Sequence, residues 1–193
     1  MSNLLRRNPS GREFTTSQIT LSGLLIATSI VLTRILSFRF AIGGLEGIRI
    51  GLGGLPLVMA GVLMGPVTGG IVGALADVIG YFINPLGAYM PHFTLASALN
   101  GIIPGLLLLH KEKENLSLKQ LAGVIGFTRL IASTILPPYF LLLLFHLPLA
   151  TTVPPKVVWL VIEVPFYSLF LQQVIRRVPV KFLYLKKQPN SKM

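Results

Sequence analysis

The sequence has no cysteine and few charged residues. Lysine, arginine, aspartate and glutamate make up 12% of its 193 residues, about half the share that soluble domains carry. Without cysteine there can be no disulfide framework, no thiol catalysis and no cysteine-based metal site. A soluble globule of this size also needs a charged surface, and this chain cannot cover one. These shortages exclude a soluble enzyme domain, a disordered chain and a disulfide-rich secreted scaffold.

Apolar residues take their place, at 52% of the chain with a mean hydropathy of +0.73. They gather in six runs, 19–36, 50–64, 66–83, 93–109, 121–147 and 157–175. The runs lack the two-residue alternation of barrel strands, so we predict helices, whose backbone groups are satisfied internally in a bilayer. The predicted fold class is an all-α integral membrane protein with six transmembrane helices. A single membrane domain, 1–193, would hold the six-helix bundle at 18–175.

Three of the runs have features that predict their shape. The first is longer than the apolar part of a signal peptide and ends in arginines instead of a cleavage site, so we expect a retained span. The second is short and glycine-rich, and Gly65-Pro66 turns it directly into the third, which predicts a tight hairpin. The fifth contains Pro137-Pro138, which predicts a kink or a break.

The net charge of +11 is explained mainly by topology. Twelve of the 17 lysines and arginines lie in the tail 1–17, the loop 110–120 and the tail 176–193. An even number of spans places all three on one side, whereas Arg39, Arg49 and Lys156 lie on the other. The positive-inside rule therefore predicts two cytoplasmic termini. It also removes the case for a nucleic-acid partner, since no RNA-binding motif accompanies the charge.

Charged residues inside the spans are the candidates for chemistry, because each costs about 2.5–3.5 kcal/mol on insertion scales. Asp77 either forms an ion pair within the bundle or contacts a ligand in a cavity. Arg34 either snorkels to the outer headgroups or serves a site. For Arg129 we favour snorkelling or contact with a partner, and for Glu163 a polar contact inside the bundle.

The chain shows no motif for a metal, a nucleotide or a catalytic centre. Its three histidines are scattered, and HExxH, Walker A and Ser/His/Asp patterns are missing. We therefore predict no cofactor, no metal site and no enzyme activity. A transporter with this sequence would facilitate diffusion, use an ion gradient or borrow an ATPase. The glycine-rich outer segment 37–49 fits either a lid over a site or an ordinary surface loop.

Four stretches, taken together, resemble a known family. They are the run 48–105, GLLIA at 23–27 with Thr33-Arg34, FTRL at 127–130 and PKVVWLVIEVPFY at 155–167. The combination is similar to the substrate-binding S component of energy-coupling factor (ECF) transporters, the folate-specific FolT subfamily in particular. The resemblance covers most of residues 18–175, and the run 48–105 is its most specific part.

The resemblance implies a bacterial cell-membrane protein that captures folate outside and delivers it by toppling in the bilayer. The implied partners are folate, the lipid bilayer, a transmembrane T component and two ABC-type ATPases, which would hydrolyse the ATP. An Ala-xxx-Ala motif in the first span of the family contacts the T component. Here Gly23 stands at its first position and Ala27 at its second, which preserves a close helix approach.

The chemistry of folate matches the polar residues of this sequence. Its pterin has an amidine-like donor edge, which suits Asp77, the one acid in the third span. Its glutamate has two carboxylates, which suit cations near the outer side through charge-assisted hydrogen bonds. An uncharged vitamin such as riboflavin fits this inventory less well. The predicted substrate-binding residues are Asp77, Arg34, Lys156, Asn100, Arg49 and Tyr89.

Three alternatives stay open from the sequence. The first is an S component for another substrate, such as pantothenate, a queuosine precursor or a thiamine-like ring. The second is a stand-alone transporter or channel. The third is a membrane enzyme, for instance a lipid-modifying one, although no nucleophile or metal cluster supports it.

Overall fold

The protein is built almost entirely of helices. The computed structural model describes residues 16–42, 45–85, 88–111 and 116–177. The helices are α1 (Thr16–Ile30), α2 (Gly54–Met64), α3 (Pro66–Ile83), α4 (Pro91–Leu107), α5 (Leu118–Arg129), α6 (Leu136–Phe145), α7 (Leu149–Thr152) and α8 (Pro154–Arg177). Two π-helical segments extend them: Val31–Ile35 continues α1, and Leu130–Ile135 joins α5 to α6.

The predicted bundle of transmembrane helices is confirmed, with boundaries close to the expected ones. Four helical stretches are long and apolar enough to cross a membrane: Thr16–Ile35, Pro66–Ile83, Leu118–Phe145 and Pro154–Arg177. The helix α2 is a shorter apolar helix, and α4 has 17 residues. Both are shorter than the roughly 20 residues that a span usually needs, and both pack against α3.

The segment expected to be a loop, 37–49, contains an antiparallel hairpin. Strand β1 (Phe38–Ile42) pairs with β2 (Leu45–Ile50), so that Phe38 lies opposite Ile50 and Arg39 opposite Arg49. Aromatic and β-branched residues favour the pleated backbone, a signal that the many glycines in the sequence of this segment had obscured. The hairpin leads from the end of α1 to the start of α2, and its side chains lie outside the described part of the molecule.

The predicted basic tails cannot be placed on the structure. Residues 1–15 and 178–193 lie outside the described residues, as do residues 112–115 of the predicted cytoplasmic loop. The single-domain prediction for 1–193 and the cytoplasmic placement of 1–17 and 176–193 therefore stay predictions.

Small residues hold α2, α3 and α4 close together. The predicted tight hairpin between α2 and α3 is confirmed: Gly65 has a φ of +94°, and Pro66 opens α3. A side chain on Gly69 would place its Cβ 2.6 Å from the Gly101 carbonyl oxygen and 2.6 Å from the Gly61 Cα. The small residues of α3 and α4 therefore serve internal packing, because they let the backbones approach.

The expected kink or break at the proline pair takes a different form. The chain stays helical from Leu118 to Phe145, and the irregular part lies ahead of the prolines as the π-helical segment. Pro137 and Pro138 then occupy the first turn of α6, where a missing N–H is tolerated. Wider π turns commonly mark functional positions in helices.

We predict that Gly69→Val destabilises the protein by about 1–3 kcal/mol, because overpacking forces the backbones of α3 and α4 apart. The measurement is thermal unfolding in detergent, followed by circular dichroism. Gly123→Val is the matched control, since a Cβ at Gly123 meets no atom within 4 Å. Equal unfolding temperatures for the two variants would show that the α3–α4 approach is not tight.

Candidate ligand site

A cavity lies in the half of the bundle where the hairpin joins α1 to α2. It is walled by the end of α1, the start of α2, the later half of α3, the first half of α4, the α5–α6 junction and the start of α8, and it measures about 90 Å³. Both π-helical segments contribute to its wall. The charged and amide-bearing residues among its lining are Arg34, Asp77, Asn100, Arg129 and Lys156.

The first buried ion pair of this cavity joins α1 to α3. Arg34 and Asp77 are 4% and 6% exposed, and the arginine Nη2 donates to the Asp77 Oδ1 at 3.5 Å. The second carboxylate oxygen, Oδ2, accepts from the Thr94 hydroxyl at 2.8 Å, and that hydroxyl also bonds the Tyr89 hydroxyl at 2.7 Å. The Asp77 carboxylate on α3 thus contacts residues of the α1 and α4 walls, and through Thr94 it is linked to Tyr89 in the segment between α3 and α4.

Arg34 also fastens the ends of α1 and α3 to each other. Its Nη1 donates to the Asn84 carbonyl oxygen at 3.4 Å, and the Asn84 side-chain amide donates back to the Arg34 carbonyl at 3.3 Å. Snorkelling to the headgroups, one of the two alternatives for Arg34, is therefore wrong. The guanidinium points into the protein because a carboxylate and a helix end satisfy it there.

The second buried ion pair joins α5 to α8. Arg129 binds Glu163 through two hydrogen bonds, Nε to Oε2 at 3.0 Å and Nη2 to Oε1 at 2.7 Å. Its Nη1 donates to the Asn100 Oδ1 at 2.8 Å, and its guanidinium lies 5.5 Å from the centre of the Tyr167 ring. Snorkelling, one of the two alternatives favoured for Arg129, is wrong, and the polar contact expected for Glu163 is confirmed.

Lys156 lies on a third wall of the cavity, in the first turn of α8. Its Nζ donates to the main-chain oxygen of Ser133 at 3.2 Å. The Ser133 hydroxyl in turn lies 3.5 Å from the side-chain amide of Asn100, which also donates to the Ala96 carbonyl at 2.9 Å. Asn100 therefore links the lysine wall to the Arg129–Glu163 pair.

The structure brings four of the six predicted substrate-binding residues to one cavity: Asp77, Arg34, Lys156 and Asn100. Tyr89 lies beside it, with its side chain 40% exposed and its ring 5.1 Å from that of Tyr81. Arg49 is in β2, and its side chain lies outside the described part of the molecule. Whether these residues bind a ligand remains a prediction.

The residues predicted to contact a T component do not line the cavity. Gly23 and Ala27 lie one helical turn apart on the exposed face of α1, and a Cβ at Gly23 would meet no atom within 4 Å. In the described ranges, no three histidine, aspartate or glutamate side chains are grouped closely enough to hold a metal ion.

Sequence reasoning did not place Arg129, Thr94 and Ser133 at this cavity. The signal for Arg129 was present, since two arginines and two acids inside spans must find each other in a bilayer. Thr94 and Ser133 gave no signal, because an ordinary hydroxyl in an apolar helix reveals nothing about which way it faces.

Comparison with known proteins finds similarity to vitamin transporters and their S components. A family model described as the S component of an ECF-type riboflavin transporter matches residues 13–172. The folate transporter FolT of Clostridium novyi (strain NT) is 38% identical over 109 residues, which are 56% of this chain and 59% of that relative. The chain thus matches about three-fifths of the length of this curated relative.

Solved structures share the fold. A crystal structure of FolT bound with folic acid superposes with a TM-score of 0.70 and 27% identity, over 85% of this chain and 95% of that one. The S component for biotin from an ECF-type ABC transporter superposes with a TM-score of 0.67 and 16% identity, over 87% and 95% of the two chains. At 16% identity, the similarity to the biotin S component is evidence for the fold alone.

We predict that Glu163→Leu destabilises the protein by about 3–5 kcal/mol, because it leaves the Arg129 guanidinium buried without its carboxylate. The double variant Arg129→Leu/Glu163→Leu should lose less, since no uncompensated charge remains. Thermal unfolding in detergent measures both. If the double variant is the less stable of the two, the pair contributes net stability and the desolvation argument fails.

Proposed function

The chain belongs to the family of ECF-type transporter S components, here matched by the model with the riboflavin description, and on that premise we propose that it binds folate. It is a multi-pass membrane protein and, by family, a transport subunit, not an enzyme. In the proposal, folate enters from outside and occupies the cavity between the two ion pairs. A transmembrane T component and two ABC-type ATPases then power its delivery to the cytoplasm.

The observation that carries the choice of folate is the charge of the cavity wall. Arg34, Arg129 and Lys156 supply three cations against one lining carboxylate, Asp77. Glu163, which forms an ion pair with Arg129, does not line the cavity. Such a wall suits a ligand with one donor edge and an anionic end, which describes folate. The FolT relative and the superposition on FolT bound with folic acid support the same choice.

The geometry suggests how the two ends of the ligand divide the cavity. The pterin donor edge would meet Asp77, whose Oδ1 has a long 3.5 Å contact with Arg34. A ligand with two N–H groups can compete for that oxygen, because two donors aimed at a carboxylate bind more tightly than one. The carboxylates of the folate glutamate would then bind Lys156, and Arg129 also lines this cavity.

The size of the cavity sets a condition on this binding mode. Pockets for ligands of this size usually enclose about 300–1,000 Å³, whereas this cavity measures about 90 Å³. The walls must therefore part when folate enters. The hairpin β1–β2 follows directly on the Arg34 wall and precedes the α2 wall, so a movement of these two walls would also move the hairpin.

Riboflavin is the second candidate, because the matching family model carries its name. Its ring system also offers N–H and carbonyl groups to a carboxylate or an amide. It has no carboxylate, however, and would leave the Lys156 side of the cavity without an anion. The cavity thus favours folate, and a binding panel separates the two.

The proposed assembly places the T component against the exposed face of α1, which contains Gly23 and Ala27. Gly23 has no side chain and Ala27 has a single methyl group there, so another helix can approach closely. The same assembly requires both termini on the cytoplasmic side, which the distribution of lysine and arginine in the sequence supports.

We expect the purified protein to bind folate with a Kd in about the nanomolar range, and Asp77→Asn to weaken it. The loss should be about 2–4 kcal/mol, roughly 30- to 1,000-fold in Kd, since the variant removes charge-assisted bonds to a buried acceptor. Isothermal titration calorimetry measures the binding, and circular dichroism confirms that the variant is folded.

Ser168→Ala is the control for Asp77→Asn, since the Ser168 hydroxyl is buried in α8, donates to the Val164 and Pro165 carbonyls of its own helix and does not line the cavity. It should bind folate as the wild type does. Thr94→Val is a milder second variant, because it removes one donor to Asp77. Tighter binding of riboflavin than of folate, or unchanged binding by folded Asp77→Asn, would overturn the assignment.

We expect Gly23→Leu and Ala27→Leu to abolish folate uptake by cells while leaving folate binding by the purified protein unchanged. A leucine on this face would hold an approaching helix away. Co-purification of ATPase subunits from bacterial membranes is the direct measurement. Gly123→Leu is the matched control, because Gly123 is also exposed and open on another helix. Retention of the ATPases by Gly23→Leu would place the partner elsewhere.

A further inference from the structure

The junction between α5 and α6 leaves the Ser133 carbonyl of the cavity wall without a helical donor. The Leu136 N–H donates to the Ile131 oxygen five residues back, so the chain is in π register there. The next two residues are prolines, which carry no N–H. The Ser133 carbonyl would accept from residue 137 in an α-helix and from residue 138 in a π-helix. Pro137 and Pro138 therefore remove both donors.

Lys156, in the neighbouring helix α8, supplies the missing hydrogen-bond donor to the Ser133 carbonyl. Its Nζ donates to the Ser133 oxygen at 3.2 Å, and Ser133, Pro137 and Lys156 all line the cavity. Carbonyls freed by proline in a membrane helix have to be satisfied by side chains or neighbouring helices, because the hydrocarbon offers no water. An ammonium donor forms the stronger, charge-assisted kind of bond.

We propose that Pro137 and Pro138 are positioning residues for ligand binding. By withholding both main-chain donors from Ser133, they create the acceptor that anchors the Lys156 ammonium on the cavity wall. The anchor determines where an anionic group of the ligand binds. The identity of that group, a folate carboxylate, rests on the proposed function, whereas the anchoring of the lysine does not.

The double variant Pro137→Ala/Pro138→Ala tests the anchor without any ligand. It returns two N–H donors to the helix, which compete with Lys156 for the Ser133 oxygen. We expect the released lysine to react faster with an amine-acylating reagent, by roughly tenfold or more, the factor that corresponds to one hydrogen bond of a charged group. Mass spectrometry measures the rate, with exposed Lys119 in the same molecule as the reference.

Ligand binding tests the second half of the proposal. Folate should bind the double variant roughly two- to tenfold more weakly, whereas 6-hydroxymethylpterin, which carries no carboxylate, should bind about as it does to the wild type. In a Lys156→Met background the proline substitutions should have no further effect on folate. The milder variant Pro138→Ala returns the π donor alone and serves if the double variant does not fold.

Pro165→Ala is the matched control, because Pro165 is an exposed helix-interior proline of α8 that does not line the cavity. It should change neither the Lys156 rate nor the affinities. An unchanged Lys156 rate in the double variant overturns the anchor. Equal weakening of folate and 6-hydroxymethylpterin, or weakening that persists without Lys156, overturns the positioning role. A faster lysine in a protein that binds no folate supports the anchor and overturns the proposed function.

Discussion

The structure depends on one constraint, which is that a charge inside a bilayer must find an opposite charge or a backbone group within the protein. In the described part of the chain, four charged side chains lie buried in the helices, and they form two ion pairs, Arg34–Asp77 and Arg129–Glu163. Each pair joins two helices that are distant in sequence. The pairs thus connect α1 to α3 and α5 to α8, and the cavity lies between them.

The same constraint explains why the cavity is polar in an otherwise apolar chain. Asn100 accepts from Arg129 on one side and lies within reach of the Ser133 hydroxyl on the other. Ser133 accepts from Lys156 through its main chain. Every link joins groups that would be costly to bury alone. A ligand that enters therefore meets donors and acceptors already held in place, which lowers the entropy cost of binding.

The two π-helical segments belong to the same arrangement. One contains Arg34, and the other contains Ser133 and begins directly after Arg129. Both segments are wider than a regular α-helix, and both lie at the cavity, to which they contribute lining residues. The packing away from the cavity follows a simpler rule, since glycines on α2, α3 and α4 bring three backbones together without polar contacts.

Several features were predictable from particular residues. The apolar runs determined the helices, because period and length decide that in a membrane, and Gly65-Pro66 determined the α2–α3 turn. Asp77, Arg34, Lys156 and Asn100 were predicted for one site by resemblance to a family and by chemistry. The snorkelling expected of Arg129 was wrong, because one sequence reveals a charge in a span but not the partner that faces it.

The sequence by itself determined that this protein spans a membrane, since so few charges cannot cover a soluble surface. It also determined which residues had to be paired, since buried charges are costly wherever they lie. The tertiary structure alone decided the pairs, because Arg34 and Asp77 are 43 residues apart and Arg129 and Glu163 are 34 apart. It also made the Ser133 carbonyl, which the proline pair deprives of helical donors, an acceptor for Lys156, because that contact forms only when α8 packs beside it.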